Sequence, residues 1–250
     1  MLPVTEIILP YLTPSLRECL GLAVEPVLRR VNLVALQAEV GAGRLDPAEF
    51  LTPAEKATFS GFSFPKRRGE WLGGRLAAKA AALAWAGLPL NTAALVEWQV
   101  TSAPDGRPGL LRATTINPDP VPELSISHSH GVAAALVAER PCGLDLQKVT
   151  DTVIRAQERF CTEAEASLLR DGVGQDAREK VRLTLLWAAK EALRKVRGGV
   201  PLTGFMDMRL AGLERVGEQS WCFRLAVSGA EEYPVVVFLL EDFAGAVSVL

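Results

Sequence analysis

Two acidic residues on different predicted elements are candidates to hold a metal ion. Asp145 lies in the segment 143–147, Gly-Leu-Asp-Leu-Gln, where the two-residue period of a strand places Asp145 and Gln147 on one face and both leucines in the core. Glu191 and Lys195 are four residues apart in a predicted helix and therefore share one stripe. Carboxylate oxygens suit Mg²⁺, which takes one or two protein carboxylates and completes its shell with water and phosphate oxygens. The sequence thus predicts a Mg²⁺ site and a substrate that carries phosphate.

Each of these residues also has a structural interpretation. Asp145 can be a charge at a strand edge, and Glu191 with Lys195 can be an ordinary salt bridge of a solvated helix. Glu165 stands three residues after Thr162, which is the spacing of a capping box, so we assign it no catalytic role. On spacing alone, the structural interpretations are favoured.

Both histidines lie in the segment 125–131, Ser-Ile-Ser-His-Ser-His-Gly. Strand alternation places the three serines on one face and Ile126, His128 and His130 on the other. A strand end rich in Ser and His offers hydrogen-bond donors to an anion, although a single histidine is more often structural. The sequence has no G-x-S-x-G elbow, which disfavours a Ser-His-Asp hydrolase, and it has neither a Walker loop nor a G-x-G-x-x-G motif.

The two halves of the chain share a weak internal repeat. Segments 34–37, 52–57 and 76–79 resemble segments 144–147, 162–167 and 187–190, at separations of 110, 110 and 111 residues. A common separation favours duplication over chance. In this comparison Ala35 and Ala80 stand where the second half has Asp145 and Glu191, so only the second half carries the acids.

Patterning predicts an α+β fold made of two similar lobes, related by an internal pseudo-twofold duplication. Each lobe is expected to be a small antiparallel sheet packed with a long helix, with the ligand in a cleft between the lobes. The predicted division is an N-terminal extension over 1–30, an N-terminal lobe with a bridging loop over 31–122, and a C-terminal lobe with the metal site over 123–250. The predicted strands are 31–38, 125–138, 142–149, 220–227 and 235–240; helices are predicted from Thr52, over 71–85, from Thr162 and over 177–196, with a loop-rich bridge over 100–122.

Composition excludes several classes of protein. The 250 residues are about half apolar, so a packed core is expected and disorder is not. The 27 basic and 29 acidic residues give a net charge of −2, which argues against a general nucleic-acid binder. The four cysteines include no C-x-x-C pair, and a cytoplasmic location fits them best. No signal peptide and no membrane span of roughly 20 apolar residues is found, so no membrane partner is expected.

Several segments, in this order, resemble the 4′-phosphopantetheinyl transferase superfamily in its larger, pseudo-dimeric, surfactin-synthetase-activating form. The similar segments are Phe-Ser-Phe-Pro-Lys-Arg-Arg at 62–68, Gly-Arg-Leu-Ala-Ala-Lys at 74–79, Gly-Arg-Pro at 106–108, Ser-Ile-Ser-His-Ser at 125–129, Gly-Leu-Asp-Leu-Gln at 143–147, Phe-Cys-Thr-Glu-Ala-Glu at 160–165 and Trp-Ala-Ala-Lys-Glu-Ala-Leu-Arg-Lys at 187–195. The last segment is the most distinctive, and the resemblance covers roughly residues 45 to 200.

The resemblance implies transfer of the phosphopantetheine arm of coenzyme A to a serine of an apo acyl or peptidyl carrier protein, with Mg²⁺. It implies that Asp145, Glu191 and Gln147 bind the metal, that Glu191 takes the serine proton and that Lys195 stabilises the leaving group. It further implies that coenzyme A is bound by Ser127, His128, Arg107, Lys56 and Arg75, the last two at its 3′-phosphate. The family strand commonly ends in Glu, whereas this sequence has Gln147, so a higher Mg²⁺ requirement is expected.

Carriers of this kind usually present an acidic helix, so a basic docking surface is expected around Lys148, Arg155 and Arg159, with scattered solvated charges an equally good interpretation. The internal repeat favours a monomer. Two other functions stay open: a coenzyme A-binding regulator or scaffold with little or no turnover, and another Mg²⁺-dependent phosphoryl-transfer enzyme.

Overall fold

The computed structural model describes residues 2–7, 12–112, 121–199, 202–227 and 231–250. The helices within these ranges are α1 (Leu12–Leu20), α2 (Leu33–Gly41), α3 (Pro53–Ser60), α4 (Pro65–Trp85), α5 (Thr92–Val96), α6 (Thr152–Arg155), α7 (Glu163–Val173) and α8 (Glu179–Arg197). The strands are β1 (Val4–Glu6), β2 (Val27–Asn32), β3 (Trp98–Ser102), β4 (Pro108–Arg112), β5 (Glu123–Ser129), β6 (Val132–Ala138), β7 (Cys142–Lys148), β8 (Met208–Gly217), β9 (Ser220–Val227), β10 (Glu231–Leu240) and β11 (Phe243–Val249). The predicted α+β class with antiparallel sheets is confirmed.

The chain forms two compact units, which we call unit 1 and unit 2. Unit 1 contains Met1–Ile7 and Pro26–Arg140, and unit 2 contains Ile8–Glu25 and Pro141–Leu250. This division differs from the predicted one in two ways. The predicted extension 1–30 is shared between the units, and β5 and β6 belong to unit 1 because β6 pairs with β2.

Unit 1 is built on a sheet of order β1-β2-β6-β5 and a β3-β4 hairpin. The Ala-rich helix α4 packs against the sheet and contributes Leu72, Leu76 and Leu83 to the core. At Gly73 a Cβ atom would overlap the side chain of Leu33. The small residues of α4 therefore allow close helix packing in this unit.

Unit 2 is built on a five-stranded sheet of order β7-β11-β10-β9-β8, and α8 packs on one face of it. Leucine and alanine side chains of α8 form the core with Phe223 and Leu225 of β9. At Gly143 a Cβ atom would overlap the backbone carbonyl of Ala192 in α8. Because Gly143 lacks that atom, α8 approaches β7 closely.

The predicted strand 31–38 is wrong beyond Asn32. The Asn32 side chain accepts a hydrogen bond from the Ala35 amide at 3.0 Å and so caps α2, which begins at Leu33. Ala35 therefore lies in a helix, and its comparison with the strand residue Asp145 fails. The match of 34–37 with 144–147 is a chance likeness of short apolar segments.

The predicted strand 125–138 is instead two strands, β5 and β6, which pair antiparallel across a turn at 130–131. The other predicted elements are largely found. Helix α4 begins six residues before the predicted start, α7 begins after Thr162, α8 covers the predicted 177–196 to within two residues, and β9 has the predicted bounds. The predicted bridge 100–122 contains most of the β3-β4 hairpin, with Gly106 at φ +85 in its turn. Residues 113–120 of that bridge lie outside the described ranges.

Candidate active site

Strand β7 and helix α8 bring three of the predicted site residues together in unit 2. The Lys195 ammonium donates to Asp145 Oδ1 at 2.8 Å and to the carbonyl of Leu144 at 2.7 Å. Asp145 is buried, with 7% of its surface exposed. Its register partner, Ala246, belongs to the core beneath α8, so Asp145 faces the helix rather than solvent. Strand alternation was therefore predicted correctly, but both faces of this strand are covered.

Glu191 belongs to the same group of charges. Burial raises the pKa of the Glu191 carboxyl first, and the negative charge of Asp145 raises it further, while Lys195 and Arg194 oppose both effects. Arg194 Nη1 lies 3.7 Å from Glu191 Oε1. Two carboxylates thus lie in one partly desolvated region, with two cations beside them. The carboxylates can bind a cation, and the two cations can bind an anionic group.

Gln147 is the next residue of β7 on the face of Asp145. It lines a cavity of about 160 Å³ together with Val153 of α6 and Trp187 of α8. The Trp187 ring packs against Phe160 and Phe205, with ring centroids 5.1 and 4.6 Å away. A largely apolar recess therefore adjoins the charged group, and this aromatic cluster was not foreseen from the sequence.

The donors of unit 2 fit a hard divalent cation. Within the described ranges, no cluster of three or more His, Cys, Asp or Glu side chains is available to hold a metal. Asp145 and Glu191 supply two carboxylates and Gln147 a neutral carbonyl oxygen, which is the donor chemistry of Mg²⁺ with water or phosphate as further ligands. A divalent cation bound by Asp145 and Glu191 would offset the repulsion between them that, after burial, raises the pKa of Glu191.

The candidate coenzyme A residues all lie in unit 1. On β5, Ser125, Ser127 and Ser129 are buried on one face, and His128 is exposed on the other, as alternation predicted. His128 Nδ1 lies 4.0 Å from a carboxylate oxygen of Glu70 in α4. Ser127 and His128 therefore face opposite ways from one strand.

Arg75 lines a cavity of about 390 Å³ together with Thr58 of α3, Trp71 of α4 and the β3 residues Thr101 and Ser102. Its guanidinium carbon lies 4.4 Å from the centre of the Trp71 ring, and its buried Nε has no hydrogen-bond partner. Burial lowers the pKa of Arg75, with Glu55 acting in the opposite direction. The hydroxyls around Arg75 were not foreseen, because nothing in the sequence shows that β3 meets α3.

Lys56 and Arg107, the other two cations predicted to bind coenzyme A, lie at the surface of unit 1. Lys56 is exposed on α3. Arg107 lies in the turn of the β3-β4 hairpin, where its amide donates to Asp105 Oδ1 at 3.1 Å and its guanidinium Nε lies 3.9 Å from Asp105 Oδ2. No contact joins Lys56 or Arg107 to Arg75 among the described residues.

A buried network lies beside the charged group of unit 2. Glu165 caps α7 through Thr162, as predicted, and also bonds the Lys190 ammonium at 2.7 Å and the Leu210 amide at 2.9 Å. Lys190 donates to the carbonyl of Phe160 at 2.6 Å. Lys190 precedes Glu191 in α8, so this network anchors the helix that carries the candidate acid.

Unit 1 contains a similar network. Glu55 caps α3 through Thr52, bonds the Lys79 ammonium at 2.5 Å and accepts a hydrogen bond from the Val100 amide at 2.9 Å. Lys79 donates to the carbonyl of Phe50 at 2.7 Å. The repeat had matched both capping boxes and both lysines, but the carbonyl and amide partners could not be inferred from it.

Comparison with known proteins gives a family for part of the chain. Residues 141–243 match the 4′-phosphopantetheinyl transferase superfamily. A crystal structure of a holo-(acyl-carrier-protein) synthase from Bacillus anthracis str. Ames, in complex with CoA (3′,5′-ADP), is 25% identical with a TM-score of 0.38, over 45% of this chain and 91% of that one. No curated protein matches the chain. For residues 141–243, this match confirms the predicted superfamily and with it the enzyme class of a 4′-phosphopantetheinyl transferase; the pseudo-dimeric type stays a prediction.

None of the helices in the described ranges combines the length and apolar character that a membrane span requires.

Proposed function

We propose that this chain, whose residues 141–243 match the 4′-phosphopantetheinyl transferase superfamily, moves the phosphopantetheine arm of coenzyme A to a carrier protein. A serine hydroxyl of an apo acyl or peptidyl carrier attacks the β-phosphorus of the pyrophosphate. The phosphorus–oxygen bond to the α-phosphate breaks, and adenosine 3′,5′-bisphosphate leaves. The observation that carries the proposal is the group Asp145, Glu191 and Lys195, which lies on β7 and α8 inside the matching segment.

Asp145 and Glu191, with the carbonyl oxygen of Gln147, are the residues that would hold Mg²⁺. The bound ion would neutralise charge on the pyrophosphate, which is the main demand of phosphoryl transfer. Lys195 keeps Asp145 in place by its 2.8 Å ion pair. Because an ammonium has three N–H donors and two are engaged by Asp145 and Leu144, the third is available to the leaving phosphate.

Glu191 is the proposed acceptor of the serine proton. A carboxylate whose pKa is raised by burial is a better base than a solvated one and can act directly or through water. The neighbouring cations Lys195 and Arg194 favour its ionised form, so that it can accept a proton. The chain thus supplies the base, the positioning of the metal ligands and the positive charge at the leaving group.

Gln147 gives a test of the metal site. Gln147→Glu adds a negative charge on the strand face of Asp145, so we expect the Mg²⁺ concentration for half-maximal transfer to fall several-fold. The matched control is Gln157→Glu, which makes the same change outside the strand and should leave the Mg²⁺ requirement unaltered. An unchanged requirement in the Gln147 variant would show that this residue is not near the metal.

Arg75 is proposed to bind the 3′-phosphate of coenzyme A, with Lys56 at its edge. Arg75 lines one cavity together with Thr58, Thr101 and Ser102, which all carry hydroxyl groups, and this combination suits a phosphate. His128 is proposed to bind another phosphate of coenzyme A, and Arg107 its adenine-ribose end. The Ser127 side chain, which is buried on the other face of the strand, can contribute only at a separate contact.

Arg75→Met is expected to raise KM for coenzyme A by about 10–100-fold, because the variant loses one charged hydrogen-bond donor to the phosphate. With dephospho-coenzyme A, which lacks the 3′-phosphate, the same variant should differ little from the parent. Arg68→Met removes an arginine from the same helix and serves as control. Equal losses with both substrates would place Arg75 elsewhere on the ligand.

The carrier is proposed to dock beside the recess of unit 2. Arg155 and Arg159 are exposed there, next to Ile154, which is 39% exposed. An acidic carrier helix complements such a surface. Lys148 is less available than was expected, because its ammonium pairs with Asp242 at 3.0 Å.

The predicted duplication is also part of the proposal. Each unit buries a Glu–Lys pair between a capped helix and a long helix, and in both units a backbone carbonyl and a strand amide are further partners. In unit 2, Lys190 also donates to a second carbonyl, that of Phe205, at 3.2 Å. Phe50, Thr52, Glu55 and Val100 stand 110 residues before Phe160, Thr162, Glu165 and Leu210. Chance does not readily reproduce a hydrogen-bonded network in register. We further propose a monomer and a cytoplasmic location.

Intact-mass analysis tests the function. The purified chain is incubated with coenzyme A, Mg²⁺ and a panel of apo carriers, and a gain of one phosphopantetheine by a carrier is the expected result. Binding of coenzyme A without any gain of mass by a carrier would favour a regulator or scaffold. That alternative is suggested by Gln147, which stands where the family commonly has Glu. Nucleotide turnover without change of any carrier would favour another phosphoryl-transfer enzyme.

A further inference from the structure

Helix α1 covers the face of the unit 2 sheet that lies opposite α8. Ser15 Oγ donates to the carbonyl of Val216 in β8 at 3.2 Å, and Leu16 and Leu20 are buried. The helix packs mainly on β10 and β9. The spacing of residues 15, 16, 19 and 20 places them on one helix face, so Cys19 also points to the sheet.

Cys222 is the residue of β9 that meets this helix face. Its neighbours Trp221 and Phe223 belong to the core under α8, so alternation directs Cys222 to the side of α1. Each of these two thiols influences the pKa of the other, so they lie near each other at this interface. Two cysteines that are 203 positions apart in the sequence therefore face one another across a helix–sheet interface.

We propose that Cys19 and Cys222 form a modification site, a reversible disulfide that links α1 to β9. A low-molecular-weight disulfide such as oxidised glutathione is the oxidant. The Cys19 thiolate attacks one sulfur of glutathione disulfide and releases one glutathione. The Cys222 thiolate then attacks the Cys19 sulfur of the mixed disulfide and releases the second glutathione, so two protein thiols lose their protons and one S–S bond forms.

The order of the two steps follows from exposure. Cys19 is half-buried whereas Cys222 is buried, so the external disulfide reaches Cys19 first. Burial raises the pKa of both thiols, that of Cys222 to about 12, which makes thiolates scarce and the reaction slow at neutral pH. Once the mixed disulfide forms, the second thiol faces it across the same interface, and closure is intramolecular.

The cross-link is expected to stabilise the fold. It joins residues that are far apart along the chain, so it restricts the unfolded state much more than the folded one. We expect the thermal midpoint of the oxidised protein to rise by about 5 °C or more. The proposal does not depend on the transferase activity.

The test uses the full folded chain, titrated with reduced and oxidised glutathione. The expected result is a mass loss of two hydrogens, reversed by dithiothreitol, and a non-reduced peptide pair that contains residues 19 and 222. Cys19→Ser, at the half-buried position, should abolish both signals without loss of fold, and Cys222→Ser should do the same if it folds. Cys142→Ser and Cys161→Ser are the matched controls and should retain the cross-link.

Two results would overturn the proposal. One is a stable glutathione adduct on Cys19 that never resolves into the protein disulfide. The other is a cross-link that forms only in denaturant, or that still forms in the Cys19→Ser variant.

Discussion

Glu191→Gln is expected to lower carrier modification by about 10²–10⁴-fold, the range that a positioned acid–base group supplies. The substitution keeps the shape of the side chain but removes both the proton acceptor and one of the two carboxylates proposed to hold Mg²⁺. The loss should therefore appear mainly in kcat, and added Mg²⁺ should restore little of it.

Coenzyme A should still bind to this variant, more weakly than to the parent chain. The residues proposed to hold its adenine, ribose and 3′-phosphate lie in unit 1, whereas Glu191 lies in unit 2. Calorimetry of coenzyme A binding, alongside the intact-mass assay, separates these effects. The change also removes a half-buried carboxylate that Asp145 repels, so the fold should not suffer.

Glu179→Gln provides the matched control. It makes the same substitution in the first turn of the same helix, where Glu179 is exposed, and transfer should stay within about twofold of the parent. Turnover by Glu191→Gln equal to that of this control would remove Glu191 from the site.

The site of unit 2 was largely predictable because its residues depend on local periodicity. Strand alternation gives the face of Asp145, and the four-residue helical spacing gives the stripe of Glu191 and Lys195. Their meeting was harder to foresee, because it depends on how closely α8 approaches β7. Gly143 permits that approach, and its role is visible only when the Ala192 carbonyl is placed above it.

The errors arose where short apolar runs fit both helix and strand. Segment 31–38 has strand-like residues, yet the hydrogen bond from the Ala35 amide to Asn32 starts a helix within it. Segment 100–122 is rich in proline, but 98–102 pairs with 108–112 as a hairpin because Asp105-Gly106 supplies a tight turn. Helix α1 was missed because its stabilising contacts come from strands far along the chain.

Lys190→Met is expected to reduce the free energy of unfolding by about 3–5 kcal/mol, because it leaves a buried carboxylate without its cation. Both side chains of the pair are almost fully buried, at 0% and 3% exposure. Glu165 would keep its hydrogen bonds from the amides of Thr162 and Leu210, but these do not neutralise its charge. Guanidinium unfolding, followed by circular dichroism, measures the loss.

Two other lysine variants calibrate this value. Lys180→Met removes another cation of the same helix. Lys180 pairs with Asp151, which is 77% exposed, so the substitution should change the free energy of unfolding by at most about 1 kcal/mol. Lys79→Met removes the equivalent cation of unit 1, where the pair with Glu55 has the same 0% and 3% exposure. If the units arose by duplication and kept the network, the losses for Lys79→Met and Lys190→Met should agree to within about 1 kcal/mol.

A double variant separates the charge of Glu165 from the lost packing of Lys190. In Lys190→Met with Glu165→Gln, no buried charge is left without a partner, so the combined loss should be smaller than the sum of the two single losses by about 0.5–3 kcal/mol. Strict additivity would mean that the two side chains do not interact in solution. A Lys190→Met loss no larger than that of Lys180→Met would likewise show that the ion pair does not anchor α8, and the network could then not be what fixes Glu191 opposite Asp145.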